Sequence, residues 1–506
     1  MFFFMSNFIE TLKNFWEKHP ALAYGLVMLI GCNLAFSGNL LLLIPIMILL
    51  VTIRGLANAA LLIVLTAASF LFAHYSYQLP SLPEEGIEGT GIIQITSTVN
   101  KTNHFGKQAV FKGFIQTFEN TDHQVIGKNL PYTLSIPNNE SNKIPKADKN
   151  YQISGRLKQL ASGYYTITKF KEAPLIPVEG SFSLAEFRKA AKQKVTDYIH
   201  RQYEGSRASV FLAGIATGDF DDRSMVYEFG RFGLQHIMAI SGFHFAIIAG
   251  IFSLLLRFVF NQRTAAIVLI FLLSSYYLFL GSASSIMRAW VTILIALLST
   301  VFKKRSNGLN SLGIALIFIL LIDPLLSRSL GFQFSFAATA AILILFPLSD
   351  QLLQSFLKKR YLSNLVQMDF LNQHGYCFLV FCRQAIALSL AVTLVTLPIT
   401  LYYFQKFPIM SLIYNLFFPF MVSISMLLLI LGLLLPFAGS LIHQLNQIYT
   451  EFSLNLIYNI PPSLDIYYRA NFFSLELVLI YLYAVFCISI YAKERLGNDE
   501  ETFAFL

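Results

Sequence analysis

The stretch GLQHIMAISGFHFAIIAG (233–250) places two imidazoles and a hydroxyl in an otherwise apolar run. Its composition suits a lipid bilayer, where a charged side chain costs about 2.5–3.5 kcal/mol unless the protein satisfies or uses it. His236, Ser241 and His244 could therefore carry out chemistry, line a hydrated path, or bind neighbouring helices.

The residues around Ser241 argue against nucleophilic catalysis. The window AISG (239–242) lacks the glycine two positions before the serine that a nucleophile elbow requires, and no acid lies nearby in the sequence to orient a histidine. Zinc is also disfavoured, because residues eight apart, as His236 and His244 are, lie about 80° apart around a helix. Zinc-binding helices use i, i+4 pairs instead. We therefore predict a protein that is not an enzyme, with no catalytic residue, no metal and no cofactor.

Two interpretations of the histidines stay open, a polar seam along a pore and contacts between packed helices. Three glycines in the same stretch permit the close approach that helix packing needs. A buried Arg288 would require a partner, which Asp219 or Asp323 could supply, unless its side chain reaches out to the interface. The predicted seam consists of Asp219, His236, Ser241, His244, Arg288, Asp323 and Gln333.

The elements that must position these residues are transmembrane helices. Of the 506 residues, 55% are hydrophobic and only 13% are charged, roughly half the charged share of a soluble domain. Apolar runs of about 16–25 residues, long enough to cross a bilayer, recur along the chain. We therefore predict a polytopic α-helical membrane protein of about twelve spans. The predicted spans are 21–36, 39–54, 57–73, 236–257, 264–280, 284–301, 308–322, 332–347, 376–403, 410–435, 440–460 and 473–492.

One long polar stretch interrupts the spans and is rich in strand patterns. Short runs of β-branched and aromatic residues are separated by turn-rich pieces such as PNNESNK (137–143). About five short strands in roughly 100 residues are typical of a small β-barrel, with the OB type as first choice. A small sandwich would give a similar pattern. The predicted strands are 91–99, 108–118, 130–137, 151–157 and 163–170.

The segment after these strands predicts a basic amphipathic helix at 183–203. Phe187, Ala191, Val195 and Ile199 recur at four-residue steps, so they share one apolar face. Basic residues lie largely off that face, as in helices that rest on a membrane surface. These basic residues include Arg188, Lys189, Lys192 and Lys194.

The changes in composition divide the chain into four predicted domains. Residues 1–74 hold an amphipathic helix and three spans, and residues 75–181 form a soluble, outward-facing OB-like β domain. Residues 182–232 form interfacial helices, and residues 233–506 form the multi-span domain.

Basic residues predict the orientation of the spans. Alternating through three plus nine predicted spans places every basic cluster on one side, which the positive-inside rule assigns to the cytoplasm. Both termini then lie in the cytoplasm, and the β domain lies in the periplasm or outside the cell. The clusters are Lys13 and Lys18, Arg54, Arg257 and Arg263, 303–305, 358–360, and Lys493 with Arg495.

Five motifs, taken in order, resemble those of the ComEC-type competence proteins, the inner-membrane channels of natural transformation. The most specific similarity lies in GLQHIMAISGFHFAIIAG. The three N-terminal spans and the strand-rich region also resemble this family. The other motifs are ATGDFDD (216–222), SASSIMRAW (282–290), DPLLSRSLGFQFSF (323–336) and TLPITLYYFQKFPIMSLIYNL (396–416).

The resemblance implies that the protein passes single-stranded DNA across the bacterial inner membrane during natural transformation. It implies a DNA receptor outside and a cytosolic helicase-like ATPase as motor, since no Walker pattern occurs in the sequence. Many family members continue into a metallo-β-lactamase-like domain, whose ligand motif this sequence lacks, so strand degradation is expected elsewhere. Whether one chain or a homodimer forms the pore stays open, and membrane lipids surround either assembly.

Candidate DNA-contacting residues lie in the β domain and in the basic helix. Tyr164, Tyr165 and Lys169 could form a stacking platform for single strands, although alternating aromatic residues in a small barrel more often form its core. The helix bearing Arg188, Lys189, Lys192 and Lys194 is the better electrostatic collector of DNA, provided that it faces the entrance.

Two rival functions stay open. A secondary transporter for a small anionic metabolite would show two halves of matching hydropathy with broken helices, and the sequence shows no clear repeat of this kind. An intramembrane hydrolase would need Ser241 as its nucleophile, so retained function after Ser241→Ala would exclude it.

Overall fold

The computed structural model of the chain has two helical regions separated by a β-sheet, and its described residues run from 2 to 500 with gaps. The positions outside the described residues are 1, 78, 104–105, 138–144, 148, 161–162, 171–172, 179–183, 221, 239–241, 282, 306, 361, 436, 471–472 and 501–506.

Four helices precede the β-sheet, and the predicted N-terminal helix and three apolar segments are all helical. In the second of them, Gly31 lies against Ser69 and the Thr66 carbonyl of the fourth so closely that an added Cβ would collide. Glycine therefore permits the two helices to pack at short range. The four helices are α1 (Phe2–Lys18), α2 (Pro20–Ser37), α3 (Leu43–Thr52) and α4 (Leu56–Ser76).

The polar stretch folds into a six-stranded sheet that contains all five predicted strands and one more. The strands are β1 (Ile87–Asn103), β2 (Gly106–Asn120), β3 (Val125–Pro137), β4 (Asn150–Gln159), β5 (Tyr165–Lys169) and β6 (Ile176–Val178). Hydrogen bonding runs from β1 through β2, β3, β5 and β4 and returns to β1. The β3–β5 pair is parallel, and the other pairs are antiparallel. Side chains alternate between the two faces of each strand, and those on the inner face, such as Phe111, Leu134 and Ile153, are fully buried.

Four helices link the sheet to the second helical region, and the first of them is the predicted basic helix. Side chains fix where two of them begin, since Ser206 accepts a hydrogen bond from the Ser209 amide and Asp222 from the Met225 amide. The four helices are α5 (Ala185–Gln202), α6 (Arg207–Thr217), α7 (Arg223–Arg231) and α8 (Gln235–Met238).

The second helical region holds the remaining helices and a short two-stranded ribbon. The helices are α9 (Gly242–Val259), α10 (Gln262–Leu280), α11 (Ser284–Val301), α12 (Gly308–Ile322), α13 (Leu330–Ile344), α14 (Phe346–Leu353), α15 (Leu362–Val366), α16 (Phe370–Phe404), α17 (Ser411–Leu434), α18 (Gly439–Tyr458) and α19 (Leu475–Glu500). The ribbon pairs β7 (Lys406–Pro408) with β8 (Tyr467–Arg469).

Seven helices of the described chain are long and apolar enough to cross a membrane, and the α13–α14 pair, bent by 48°, would make eight. All eight coincide with predicted spans. Three further predicted spans, 39–54, 236–257 and 308–322, correspond to the shorter apolar helical segments Leu40–Thr52, His244–Val259 and Gly308–Ile322. The last, 440–460, corresponds to α18, whose 20 residues include several buried polar side chains.

The polar residues of α18 form a buried network that joins α5 to α17 and α18. The Tyr203 hydroxyl lies 2.7 Å from His443 Nδ1 and accepts a hydrogen bond from Asn446 Nδ2 at 3.1 Å. Thr450 donates to Asn446 Oδ1 at 3.0 Å and lies 2.9 Å from the Ser425 hydroxyl. These contacts satisfy groups that would be costly if they were buried alone, so they fix the end of α5 to the helical region.

Candidate functional site

Arg288 lies where three of the sequence motifs meet. It is the fifth residue of α11, roughly 6 Å along that helix, and its Nε donates to the Ser335 hydroxyl of α13 at 2.7 Å. An added Cβ on Gly242, the first residue of α9, would collide with its guanidinium. The motifs that contain Gly242, Arg288 and Ser335 therefore converge at one cation.

Asp219 and Asp323, the two candidate partners of Arg288, bind other residues. Lys192 Nζ donates to Asp219 at 3.1 Å, and the Tyr77 hydroxyl donates to Asp323 at 2.9 Å. Within the described part of the chain, no carboxylate forms an ion pair with Arg288. The guanidinium is therefore oriented by a neutral hydroxyl that leaves its charge uncompensated.

Gln333 is the second polar group at the same end of the helices. The Tyr403 hydroxyl, near the end of α16, donates to Gln333 Oε1 at 2.9 Å, and Gln333 Nε2 donates to the Ser327 carbonyl at 3.3 Å. Gln333 and Arg288 both lie in the first turns of their helices, and Tyr403 in the last turn of its own. The structure therefore has Arg288 and Gln333 at one end of the helical region.

The two histidines differ in their exposure at the surface of the protein. His244, in the first turn of α9, is only 1% exposed, whereas His236 of α8 is exposed. The His236 Nδ1–H donates a hydrogen bond to the Gly233 carbonyl oxygen at 3.1 Å. Of the two, His236 is the one that could touch a molecule in the adjacent space. Ser241, which lies between them in the sequence, is outside the described residues.

Asp323 fixes the junction between the β-sheet and the helical region. Its carboxylate accepts hydrogen bonds from Tyr77, which follows α4, and from the Leu325 amide at 3.0 Å. Burial raises the pKa of Asp323, and these hydrogen bonds oppose the rise. Burial, with the nearby Asp323 charge, also raises the pKa of Tyr164 to about 12. Tyr164 is therefore a half-buried residue of the junction.

Asp219 anchors the basic helix to the connection between α6 and α7. Burial raises the pKa of Asp219, and the Lys192 ammonium opposes the rise. Arg188, on the same helix, donates from Nε to the Leu278 carbonyl at 2.9 Å. Two of the predicted DNA-contacting residues of α5 thus hold the helix in place, while Lys189 is half-buried and Lys194 is exposed.

Tyr165 and Lys169 of β5 make contacts within the β domain. The Tyr165 side chain is 0% exposed, and its hydroxyl donates to the Pro80 carbonyl at 2.8 Å. Its ring therefore has no open face on which a base could stack, as expected if the aromatic residues form the core of the sheet. Lys169 Nζ donates to the Phe170 and Ala173 carbonyls at 3.2 and 2.8 Å, which leaves a half-buried cation beside the strand.

The sequence did not single out Ser335, Tyr403 or Tyr77, which orient the polar residues above. Ser335 lies two positions after Gln333 in GFQFSF, and Tyr403 lies in TLPITLYYF. Both residues belong to motifs that carry the family resemblance, so the hydroxyl groups of those motifs are the signal that the sequence offers. In the described part of the chain, no three His, Cys, Asp or Glu side chains are grouped as a metal site would require.

Helices of crossing length, a separate β-sheet and a polar cluster at one end of the helices define a polytopic membrane protein. A family model described as Competence protein matches residues 221–495, more than half of the chain. The chain therefore belongs to the Competence protein family, and the resemblance to ComEC-type competence proteins is confirmed.

Two curated relatives show the same similarity. The match with ComE operon protein 3 of Bacillus subtilis (strain 168) is 27% identical over 207 residues, 40% of this chain and 23% of that protein. The match with the uncharacterized protein MG316 homolog of Mycoplasma pneumoniae (strain ATCC 29342 / M129 / Subtype 1) is 29% identical over 191 residues, 37% of this chain and 42% of that protein. The chain thus spans less than half of the length of either relative. No solved structure matches it.

Proposed function

We propose that this protein is an inner-membrane channel that passes single-stranded DNA into the cytoplasm during natural transformation. The observation that carries the proposal is the uncompensated cation of Arg288 within an apolar helix, against Gly242 of α9. Such a charge costs about 2.5–3.5 kcal/mol in a bilayer, so an ionisable residue there marks a functional position. A DNA phosphate is an anion that would complement this guanidinium.

Family membership supports the same function. The matched region, 221–495, contains Arg288, Gln333 and both histidines. In the proposed channel His236, Ser241, Arg288 and Gln333 line the polar path, and the buried His244 packs behind it. Asp219 and Asp323 hold the rim of the path in place. Lys189 and Lys194 of α5 attract DNA electrostatically, since Arg188 and Lys192 fix that helix.

The proposed architecture keeps twelve spans. The helices shorter than about 18 residues can cross if the bilayer thins locally or if flanking residues extend the span. The polar residues of α18 are compatible with a span because they bind each other and α17. Residues 1–74, 75–181, 182–232 and 233–506 act as the four domains, with both termini in the cytoplasm.

We propose that residues 75–181 form an OB-like barrel on the periplasmic or extracellular side. The proposal is supported by the hydrogen bonding that returns from β4 to β1 and by the parallel β3–β5 pair, both of which suit a small closed barrel. The basic residues 303–305 follow the end of α11 opposite to Arg288, so the positive-inside rule places Arg288 at the outer end.

The proposed channel needs partners that supply DNA and energy. An outer receptor would deliver the strand, and a cytosolic helicase-like ATPase would pull it inward. The test is a deletion of the gene, scored for surface-bound DNA and for nuclease-protected DNA separately. Loss of protected DNA with retention of bound DNA is expected, and unchanged protected DNA would contradict the proposal.

A secondary transporter for a small anionic metabolite is the second candidate, because the Arg288 cation would also suit a small carboxylate or phosphate. Proteoliposomes loaded with a panel of small anions would separate the two functions. The channel proposal predicts no saturable flux of any member of the panel, whereas saturable flux that depends on Arg288 would favour the transporter.

A further inference from the structure

We infer that the β7–β8 ribbon is a contact surface for the phosphates of single-stranded DNA at the mouth of the proposed channel. This inference rests on the proposed function and adds a defined surface to it. The ribbon is built from Lys406–Pro408, directly after α16, and Tyr467–Arg469, before α19.

The register of the ribbon places two cations opposite each other. Lys406 pairs with Arg469, Phe407 with Tyr468, and Pro408 with Tyr467. Because side chains alternate between the faces of a strand, Lys406, Arg469 and Tyr467 share one face. Phe407 and Tyr468 share the other. The ribbon therefore has one basic face and one aromatic face.

The basic face is not neutralised by the protein. Like charges directly opposite in an antiparallel pair destabilise it, yet neither Lys406 nor Arg469 forms an ion pair with a carboxylate among the residues that the structure describes. The acidic residue just before β8, Asp465, already accepts a hydrogen bond from Arg231 at 3.3 Å. Both cations are exposed, so they attract an external anion.

An aromatic ring completes the basic face in the way that single strands require. The Arg469 guanidinium lies 4.8 Å from the centroid of the Tyr467 ring and donates to the Tyr467 hydroxyl at 2.9 Å. Tyr467 is still 41% exposed. Proteins that bind single strands combine basic residues for the backbone with aromatic or guanidinium planes on which bases stack.

The ribbon is firmly attached beside the polar cluster of the channel. Gln405 turns the chain out of α16 with a φ of 54°, and its carbonyl accepts a hydrogen bond from the Ala470 amide at 3.0 Å. Tyr403, two residues earlier, donates to Gln333. A strand bound at Lys406 and Arg469 would therefore lie next to Gln333, at the end of the helices that holds Arg288.

An aromatic belt at the lipid interface would account for Phe407 and Tyr468 but gives no role to the paired cations.

The test is binding of a fluorescent single-stranded oligodeoxythymidylate to the full chain in nanodiscs of phosphatidylcholine, measured by anisotropy over a salt series. The variant carries Lys406→Gln with Arg469→Gln. Loss of two phosphate contacts should weaken binding by about tenfold and flatten the plot of log affinity against log salt by about 1.4. The matched control carries Lys303→Gln with Lys304→Gln and should bind like the wild type. These two exposed cations follow α11, at the end of that helix away from Arg288.

Further variants test which face of the ribbon binds DNA and whether the ribbon still forms when its cations are exchanged. Tyr467→Ala should weaken binding by about fivefold or more, whereas Tyr468→Ala, on the other face, should not. Lys406→Arg with Arg469→Lys keeps both charges and should keep the salt dependence, which shows that the ribbon tolerates substitution.

The outcomes separate the ribbon from the function as a whole. If the double Gln variant binds the oligonucleotide as tightly as the wild type does, the inference is overturned and the channel proposal stands. If the wild type binds no oligonucleotide, both fail. If replacement of the two cations changes the affinity for the oligonucleotide only when anionic lipid is added to the nanodiscs, the ribbon is a lipid contact and the inference is overturned.

Discussion

Arg288 and Ser335 are joined by a hydrogen bond of 2.7 Å from Nε to Oγ, across α11 and α13. The contact orients the guanidinium and leaves its positive charge in place. Gly242 lies on another side of the same group. The geometry of this cation, and not its charge alone, should therefore matter to transport.

The first prediction concerns Gly242→Ala. The added methyl group would collide with the Arg288 guanidinium and displace it, because overpacking of this kind costs about 1–3 kcal/mol. DNA internalisation should fall by about tenfold, the equivalent of about 1.4 kcal/mol, although Arg288 keeps its charge. The measurement is nuclease-protected DNA per amount of protein in the membrane.

The same helix offers a matched control in Gly250→Ala. An added Cβ at Gly250 meets no atom within 4 Å among the described residues, so this variant should internalise DNA like the wild type. Equal activity of the two alanine variants would show that the contact between Gly242 and Arg288 is unimportant.

The second prediction concerns the pH dependence of the junction at Asp323. Burial raises the pKa of this carboxyl, so its ionisation opposes folding increasingly as the pH rises from 3.8 through the folded pKa. Tyr77→Phe removes a hydrogen bond that favours the ionised form. The pKa then rises further, and the variant should lose about 1–3 kcal/mol of unfolding free energy at neutral pH and less near pH 4.

Thermal unfolding of the purified protein at the two pH values measures this difference. Tyr75→Phe is the control, since the Tyr75 side chain is exposed and should be insensitive to the change. A Tyr77→Phe effect of equal size at both pH values would mean that the contact does not depend on the ionised carboxylate.

The third prediction concerns the network that fixes α5. Tyr203→Phe would leave His443 Nδ1 and Asn446 Nδ2 each without one buried partner, which costs about 1–3 kcal/mol. The free energy of unfolding should fall by that amount, whereas Tyr227→Phe, at an exposed position, should change it little. Equal stability of the two variants would mean that the network does not support α5.

The elements of this fold were predictable because their signals are local. Hydropathy marks α2, α4 and α16, and alternation marks β1 to β5, including the buried positions Phe111 and Ile153. The number of spans was less predictable. An apolar run such as 308–322 has the composition of a span, but its helix has only 15 residues.

The partners within the site were not predictable, because they depend on the packing of helices that are distant in sequence. Arg288 was expected beside Asp219 or Asp323, but Lys192 and Tyr77 occupy those carboxylates. Ser335, which binds Arg288, is a small neutral residue with no signal of its own. Tyr165 was a candidate for DNA stacking, and only the closed pairing of the strands shows that its ring is in the core.

The most direct test of the central claim is DNA uptake by cells that carry Arg288→Gln in place of the wild type. The control is Arg257→Gln, at an exposed position near the other end of α9. If Arg288 faces the DNA path, the variant should accumulate in the membrane, leave surface-bound DNA unchanged and lower nuclease-protected DNA by about tenfold or more, about 1.4 kcal/mol. Normal protected DNA in the Arg288→Gln variant at wild-type protein levels would contradict the account.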